Sequence, residues 1–206
     1  MLSAGDDLVS IPVANAREAQ SLAARLRESQ RFLDVVAGIE SVVLQFDIAS
    51  KDRNDIEQQI AEILTQPGST DATSHPVVEI PVCYGGEAGP DLAGVCEQLG
   101  ISQELFTALH SGRVYEVDLV GFTPGFAYIG GLDGQLNVPR LQEPRVSVPA
   151  GSVGITAGMT GLYALQGPGG WPLIGRTSYT LFDADADDPF VLVAGSRVMF
   201  VAVESK

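Results

Sequence analysis

A stretch dense in glycine and proline, from Gly121 to Asp183, constrains this chain more than any other part of its sequence. More than half of the 23 glycines of the 206-residue chain lie within it. Glycine permits a left-handed backbone and close approach of other segments, whereas proline fixes φ and lacks an N–H donor. A long helix is therefore excluded here, and short strands joined by shaped loops are predicted.

Patterns outside this stretch predict the fold class. The first 75 residues read as strand, helix, strand, helix, and a loop of turn-forming residues at 67–71 follows the second helix. A strand at 77–82 and two short helices come next, and period-two alternation begins at Tyr115. Many short strands at close spacing favour a closed or nearly closed barrel in the second half. We predict an α+β fold, with a small α/β domain over 1–76 and a barrel domain over 77–206.

Composition excludes several classes of function. The net charge of −14 and pI of about 4.3 disfavour nucleic acids and anionic membranes as partners. The two cysteines, Cys83 and Cys96, are too few for a disulfide scaffold, and no metal-ligand spacing is present. Because neither a signal peptide nor an apolar run of about 18 residues is seen, a cytoplasmic location is expected.

Three arginines stand out in the glycine-rich stretch. Arg140, Arg145 and Arg176 are the only Lys or Arg residues between Val114 and Asp183. Each guanidinium group could hold loop carbonyls in place through its rigid set of donors. Alternatively, the three could form a site for carboxylate or phosphate. Both interpretations stay open from the sequence alone.

Further candidates lie in the same loops, and each has a structural alternative. Consecutive N–H groups from Gly151 and Ser152 onward could bind an oxyanion, or could form a tight barrel turn. Aromatic side chains around a Pro-Gly turn could enclose a flat ring, or could be core, and the sole tryptophan could be core or an interface anchor. The residues of these two sets are Phe122, Pro124, Gly125, Phe126 and Tyr128, and Gly169, Gly170 and Trp171.

Two titratable residues precede the glycine-rich stretch. His110, at the end of a predicted helix, is expected to face a partner or to cap that helix, with a general base as the alternative. Glu87 follows two glycines and precedes a helix, so it could accept from helix N–H groups or bind Mg²⁺ with a nucleotide.

Ordered motifs over Val77 to Asp183 together resemble the family of the 5-oxoprolinase B subunit, whose members are also called allophanate hydrolase subunit 1 or KipI-like kinase inhibitors. One glycine motif would be weak, but six in order are specific. They are PVCYGGE at 81–87, GFTPGFAY at 121–128, Pro139-Arg140, Pro144-Arg145, VPAGSVGI at 148–155 and PGGWPLIGRT at 168–177.

The resemblance implies a cyclophilin-like β-barrel and a larger partner, the 5-oxoprolinase C subunit. It also implies a functional link to a third component, the A subunit, in an ATP-dependent opening of 5-oxoproline to L-glutamate. Mg²⁺-ATP would then bind only in the complex, with Arg140, Arg145 and Arg176 as catalytic groups and the aromatic and glycine residues above contacting substrate. The alternatives it implies are inhibition of a sensor histidine kinase and a role as part of an allophanate- or urea-related amidohydrolase.

Overall fold

A computed structural model describes residues 2–3, 6–49, 52–65 and 76–204 of the chain. The chain divides into two compact units, Met1–Thr73 and Ser74–Lys206. The predicted loop at 67–71 lies outside the described residues, and the predicted domain boundary at 76/77 stays a prediction. No helix in the described ranges has the length and apolar character needed to cross a membrane.

In its described residues, the first unit is a four-stranded antiparallel sheet with two helices. The strands are in the order β1-β2-β4-β3. The sheet and helices share one apolar core, in which Leu22 and Leu26 of the first helix pack with Val42 and Leu44 of the sheet. The elements in chain order are β1 (Leu2–Ser3), β2 (Leu8–Pro12), α1 (Ala16–Glu28), β3 (Asp34–Ala37), β4 (Ser41–Gln45) and α2 (Arg53–Thr65).

Helix α1 begins at a capping box. The Asn15 side chain accepts from the Glu18 N–H at 3.0 Å, and the Glu18 carboxylate accepts from the Ala14 N–H at 2.8 Å. Two N–H groups that lack helical partners are thus satisfied reciprocally. The start predicted at Asn15 is confirmed, whereas β1 and β3 were not predicted, because two- and four-residue strands carry little periodicity.

The second unit is a closed barrel of seven strands in the order β10-β7-β6-β13-β5-β12-β9. Strands β13 and β5 are parallel, and the other pairs are antiparallel. The elements are β5 (Val77–Tyr84), α3 (Leu92–Leu99), α4 (Gln103–Ser111), β6 (Val114–Val120), β7 (Ala127–Ile129), a 3-10 turn (Gly134–Leu136), β8 (Arg145–Val148), β9 (Ser152–Thr156), β10 (Met159–Leu162), β11 (Gly167–Gly169), β12 (Leu173–Arg176) and β13 (Arg197–Ala202). The predicted α+β class, with a small α/β part followed by a barrel, is confirmed.

Two apolar clusters organise this unit. The larger fills the barrel and includes Ile80, Val82 and Phe200. The smaller contains Phe126, Val148, Tyr163, Trp171 and Leu173, and we call it the aromatic cluster. Because Val148 belongs to β8, the separate β8–β11 sheet contributes to the aromatic cluster.

Glycine is required where the aromatic cluster packs on the barrel. A Cβ at Gly161 would lie 2.7 Å from the Trp171 ring and 3.0 Å from Phe126, and a Cβ at Gly169 would lie 2.5 Å from the Tyr163 hydroxyl. Real Cβ atoms do not approach so closely. The glycine-rich sequence therefore lets large aromatic rings pack directly against the strands.

Candidate functional site

A groove of about 880 Å³ lies across the ends of three neighbouring barrel strands, β12, β5 and β13. One cation, two carboxylates and a free thiol are among its described lining residues: Arg176, Glu87, Glu204 and Cys83. The other lining residues are Tyr84 and a set of small, apolar or hydroxyl-bearing residues: Pro81, Gly85, Gly86, Ala88, Ala150, Thr177, Ser178 and Val203.

Strand register places these side chains on one face. Ile80 and Val82 point into the barrel, so Cys83, one residue further along β5, points to the opposite side. Arg176 is the cross-strand partner of Cys83, and directly paired residues share a face. On the other side of β5, the Val203 N–H donates to the Val82 carbonyl at 3.0 Å, which brings the segment after β13 alongside.

A tight turn after β5 forms one end of the groove. Gly85 and Gly86 have φ of +70° and +53°, a region that favours glycine. The Gly85 N–H donates to the Ile174 carbonyl, and the Gly89 N–H donates to the Gly85 carbonyl. This turn leaves Glu87 lining the groove. Helix α3 follows with Asp91 as its N-cap residue, so Glu87 does not take the helix-capping role considered from the sequence.

Below the groove, a hydrogen-bonded chain runs from Tyr84 into the barrel. The Thr160 hydroxyl donates to the Gly154 carbonyl at 3.1 Å, because a carbonyl can only accept. The Thr160 oxygen then accepts from His110 Nε2 at 2.9 Å, which leaves His110 Nδ1 to accept from the Tyr84 hydroxyl at 2.7 Å. The chain fixes one neutral tautomer of His110 and holds the Tyr84 ring in place.

The partner-facing prediction for His110 is wrong, because its side chain is fully buried. It stacks on Phe106 and lies 4.5 Å, between ring centroids, from Phe200. Burial without a compensating carboxylate lowers the pKa of His110 to about 3. A histidine with so low a pKa, held by two hydrogen bonds, is neutral at physiological pH and stabilises the barrel.

This burial predicts a pH dependence of stability. Unfolded His110 takes up a proton near pH 6.5 and folded His110 only near pH 3, so the unfolded state binds more protons between these values. The free energy of unfolding is therefore expected to fall as pH drops from 6.5 towards 3, by about 1.2 kcal/mol between pH 7.0 and 5.5. Urea unfolding at pH 7.0 and at pH 5.5 measures this fall in the free energy of unfolding. His110→Gln should remove this contribution, and an unchanged fall in that variant would contradict the assignment.

The predicted aromatic residues come together, but two of the four are buried and Tyr128 is half-buried. Phe126 and Trp171 are almost fully buried with ring centroids 5.7 Å apart, and Tyr128 lies 4.7 Å from Phe126. The ring of Tyr163, which was not among the predicted site residues, lies 4.8 Å from that of Phe126 between centroids. Of these five rings, Phe122 alone is largely exposed, 5.7 Å from Phe126 and at the φ-positive start of the Pro124-Gly125 turn.

The three predicted arginines do not line one groove. Arg145 donates to the Asp91 carboxylate at 2.7 Å, and the other oxygen of Asp91 accepts from the Leu173 N–H at 2.6 Å. Its second terminal nitrogen, Nη1, is buried without a hydrogen-bond partner among the described residues. Burial raises the pKa of Tyr163, and Arg140 and Arg145 are among the groups that oppose the rise. These two cations therefore lie near the aromatic cluster, whereas Arg176 lines the groove.

The N–H groups of the Gly151 loop are already used. Gly151 donates to the Tyr163 carbonyl at 2.7 Å and Ser152 to the Pro149 carbonyl at 3.3 Å. Ser152 is buried, and beyond it β9 is paired on both sides. This segment does not present a row of free N–H groups to an anion, so the tight-turn alternative describes its geometry. Gly169 is likewise buried against Tyr163, and Gly170 faces Pro144.

Several groove residues were not identified from the sequence. Cys83, Tyr84 and Glu204 join Arg176 only because β12, β5 and β13 are neighbours, and this pairing connects segments far apart in the chain. The sequence shows that Cys83 lies in a motif, but it does not show which residues are its neighbours in the fold. Within the described ranges, no group of three or more His, Cys, Asp or Glu side chains is placed to hold a metal ion.

Comparison with known proteins finds similarity over most of the chain. Residues 2–192 match the family described as "Carboxyltransferase domain, subdomain C and D". The chain is 39% identical over 191 residues to the 5-oxoprolinase B subunit of Escherichia coli O157:H7, covering 93% of this chain and 87% of that protein.

Solved structures share the fold. A crystal structure of TTHA0988 superposes with a TM-score of 0.82 at 32% identity and covers 97% of this chain. The chain spans only 41% of the length of that protein. The Kluyveromyces lactis urea carboxylase superposes with a TM-score of 0.77 over 98% of this chain and 21% of its own, and at 16% identity it shows the fold alone.

Proposed function

The chain belongs to the family of the 5-oxoprolinase B subunit, and from this we propose that it serves as that component of an ATP-dependent 5-oxoprolinase. The observation that carries the proposal is the 39% identity across 87% of a protein of that name. The reaction proposed is the opening of 5-oxoproline to L-glutamate. The larger C subunit would complete the catalytic assembly, with the A subunit linked to release of product, and the reaction would take place in the cytoplasm.

The groove offers the groups that 5-oxoproline requires. The substrate carries a carboxylate and a lactam N–H, which need a donor set and an acceptor respectively. Arg176 is exposed at the groove and supplies a guanidinium group for the carboxylate. Glu87 and Glu204 supply carboxylate acceptors for the N–H. We propose that Arg176 anchors the substrate, and that the larger partner closes the open side of the groove.

The other predicted site residues enter the proposal in a different role. Arg145 bridges β8 to Asp91, and Arg140 lies near Tyr128 and Tyr163. We propose that these two arginines, with the turn at Phe122 to Gly125, support the surface that completes the site in the complex.

The Gly151 loop of this chain does not offer a phosphate site. Phosphate binding by a loop requires free N–H groups, usually with a lysine, and the Gly151 loop uses its N–H groups internally. No lysine is among the described residues that line the groove. We therefore propose that Mg²⁺-ATP binds only in the assembled complex.

Reconstitution tests this function. The chain is co-expressed with the C and A components from the same genome, and glutamate release from 5-oxoproline is measured with and without ATP. Turnover that requires ATP and all components is expected, with none from this chain alone. A stable complex that releases no glutamate would overturn the proposal. The same complex offered allophanate, or added to a histidine kinase, would then show which alternative applies.

A further inference from the structure

Four apolar side chains are exposed around the aromatic cluster, and we call them the apolar patch: Phe122, Val146, Leu165 and Phe190. Phe122 is 63% and Val146 is 92% exposed, and the other two are more than one-third exposed. Isolated exposed apolar residues are common, but a contiguous group marks an interaction surface.

Contacts link the patch on both sides of the Phe122–Gly125 turn. A Cβ at Gly125 would lie 2.8 Å from the Cβ atoms of both Ala164 and Phe182. Ala164 precedes Leu165 in the chain, and the Phe182 ring lies 5.2 Å from the Phe190 ring. The turn therefore stands between Leu165 and Phe190, with Phe122 at its start.

Strand β8 extends the patch. The Gln166 side chain donates to the Ser147 hydroxyl at 2.9 Å, which ties the segment after Leu165 to β8. Val146, next to Ser147, is almost fully exposed, whereas Val148 is buried in the aromatic cluster, and the register of β8 with β11 shifts between Arg145 and Val148. Val146 thus adds an exposed apolar side chain next to the residue that Gln166 contacts.

The turn that presents Phe122 is rigid and strained. Phe122 has a φ of +69°, a conformation that is unfavourable for a bulky residue. The Gly121 N–H donates to the Phe126 carbonyl and the Phe126 N–H to the Thr123 carbonyl, both at 3.0 Å, which holds the turn closed. Strain maintained in a residue whose ring is mostly exposed points to recognition rather than to core packing.

Charge at the edge of the patch selects the kind of partner. The segment between Phe182 and Phe190 carries four exposed aspartates: Asp183, Asp185, Asp187 and Asp188. The chain as a whole has a net charge of −14. A second copy would bring acidic segment against acidic segment, so self-association is disfavoured. A complementary face would have an apolar centre and lysine or arginine at its rim.

We propose that the apolar patch is the docking surface for the larger C subunit, whose contacting face is apolar at its centre and basic where it meets residues 183–188. This inference rests on the proposed function, because it takes the existence of that partner from it. The patch supplies the apolar anchors, with Phe122 at the centre. The aspartates supply orientation and a faster, salt-dependent association.

The test measures the affinity of the purified full-length chain for the purified C subunit by biolayer interferometry. The double variant Phe122→Ser/Val146→Ser is expected to bind at least tenfold more weakly than wild type. Leu105→Ser on α4, which also replaces an exposed apolar residue, is the matched control and should bind as wild type. Asp185→Asn/Asp187→Asn should slow association and reduce its dependence on salt. Urea unfolding confirms that each variant is folded.

The outcomes separate the two proposals. If the wild-type chain does not bind the C subunit, the proposed function fails. If wild type binds and the double variant binds equally well, or the Leu105 control loses as much affinity, the docking inference fails while the proposed function stands. Analytical ultracentrifugation of the chain alone gives a further decisive result. A wild-type dimer that the double variant abolishes would show that the patch pairs with a second copy and would overturn the inference.

Discussion

Replacing Arg176 with alanine is expected to lower kcat/KM for ATP-dependent glutamate release by about 10-fold to 150-fold in the reconstituted complex. A hydrogen bond to a charged group contributes about 1.5–3 kcal/mol, and this variant removes a charge-assisted anchor for the substrate carboxylate. The Arg176 side chain is exposed, so the free energy of unfolding should change by less than about 0.5 kcal/mol. The loss would therefore belong to the site and not to the fold.

Arg197→Ala is the matched control, because Arg197 is also exposed on a barrel strand but does not line the groove. Its turnover should equal that of wild type. Arg145→Ala should behave differently from both, since it breaks the ion pair with Asp91 and is expected to lower stability as well. Wild-type turnover in a folded complex carrying Arg176→Ala would exclude Arg176 as the substrate anchor.

Replacing His110 with alanine is expected to destabilise the barrel unit by about 3–5 kcal/mol. The change removes a fully buried ring packed between Phe106 and Phe200, and it leaves the Tyr84 hydroxyl without its acceptor and Thr160 without a donor. A cavity and unpaired polar groups each contribute. Urea unfolding at pH 7 measures the loss, which is a large share of the stability of an average domain.

Two variants check this interpretation. His110→Gln retains an N–H donor at the position of Nε2, so it should lose less stability than alanine. Leu105→Ala removes an exposed side chain from the same helix and should change the free energy of unfolding by about 0.5 kcal/mol or less. Equal losses in the alanine and glutamine variants would show that packing alone, without the hydrogen-bonded chain, accounts for the effect.

The sequence was informative where local rules apply. The capping box at Asn15 and the stop at Gly100, which has φ of +68°, follow from side-chain and backbone chemistry within a few residues. The high density of glycine predicted the barrel correctly, because large rings such as Trp171 pack on strand positions that carry no side chain. The aromatic residues at 122–128 do come together, but burial of Phe126 could not be distinguished from substrate contact.

The groove and its electrostatics depended on distant pairings. Arg176, Cys83 and Glu204 meet because the strand at 77–84 lies between those at 173–176 and 197–202. Nothing local to Arg145 indicates that it pairs with Asp91, 54 residues away. Likewise, His110 on helix α4 is hydrogen-bonded to residues of two strands, Tyr84 of β5 and Thr160 of β10. Pattern analysis along the chain identifies residue types, whereas tertiary pairing decides their neighbours.

The parallel pairing of β5 with β13 has a consequence for synthesis. The ribosome completes β5 more than one hundred residues before β13, yet the two strands are adjacent in the wall beneath the groove. Contacts so distant in sequence form late. A nascent polypeptide whose residue 202 is still inside the ribosome thus has neither a closed barrel nor a binding site for a small molecule. Premature termination of translation shortly before that residue would abolish both.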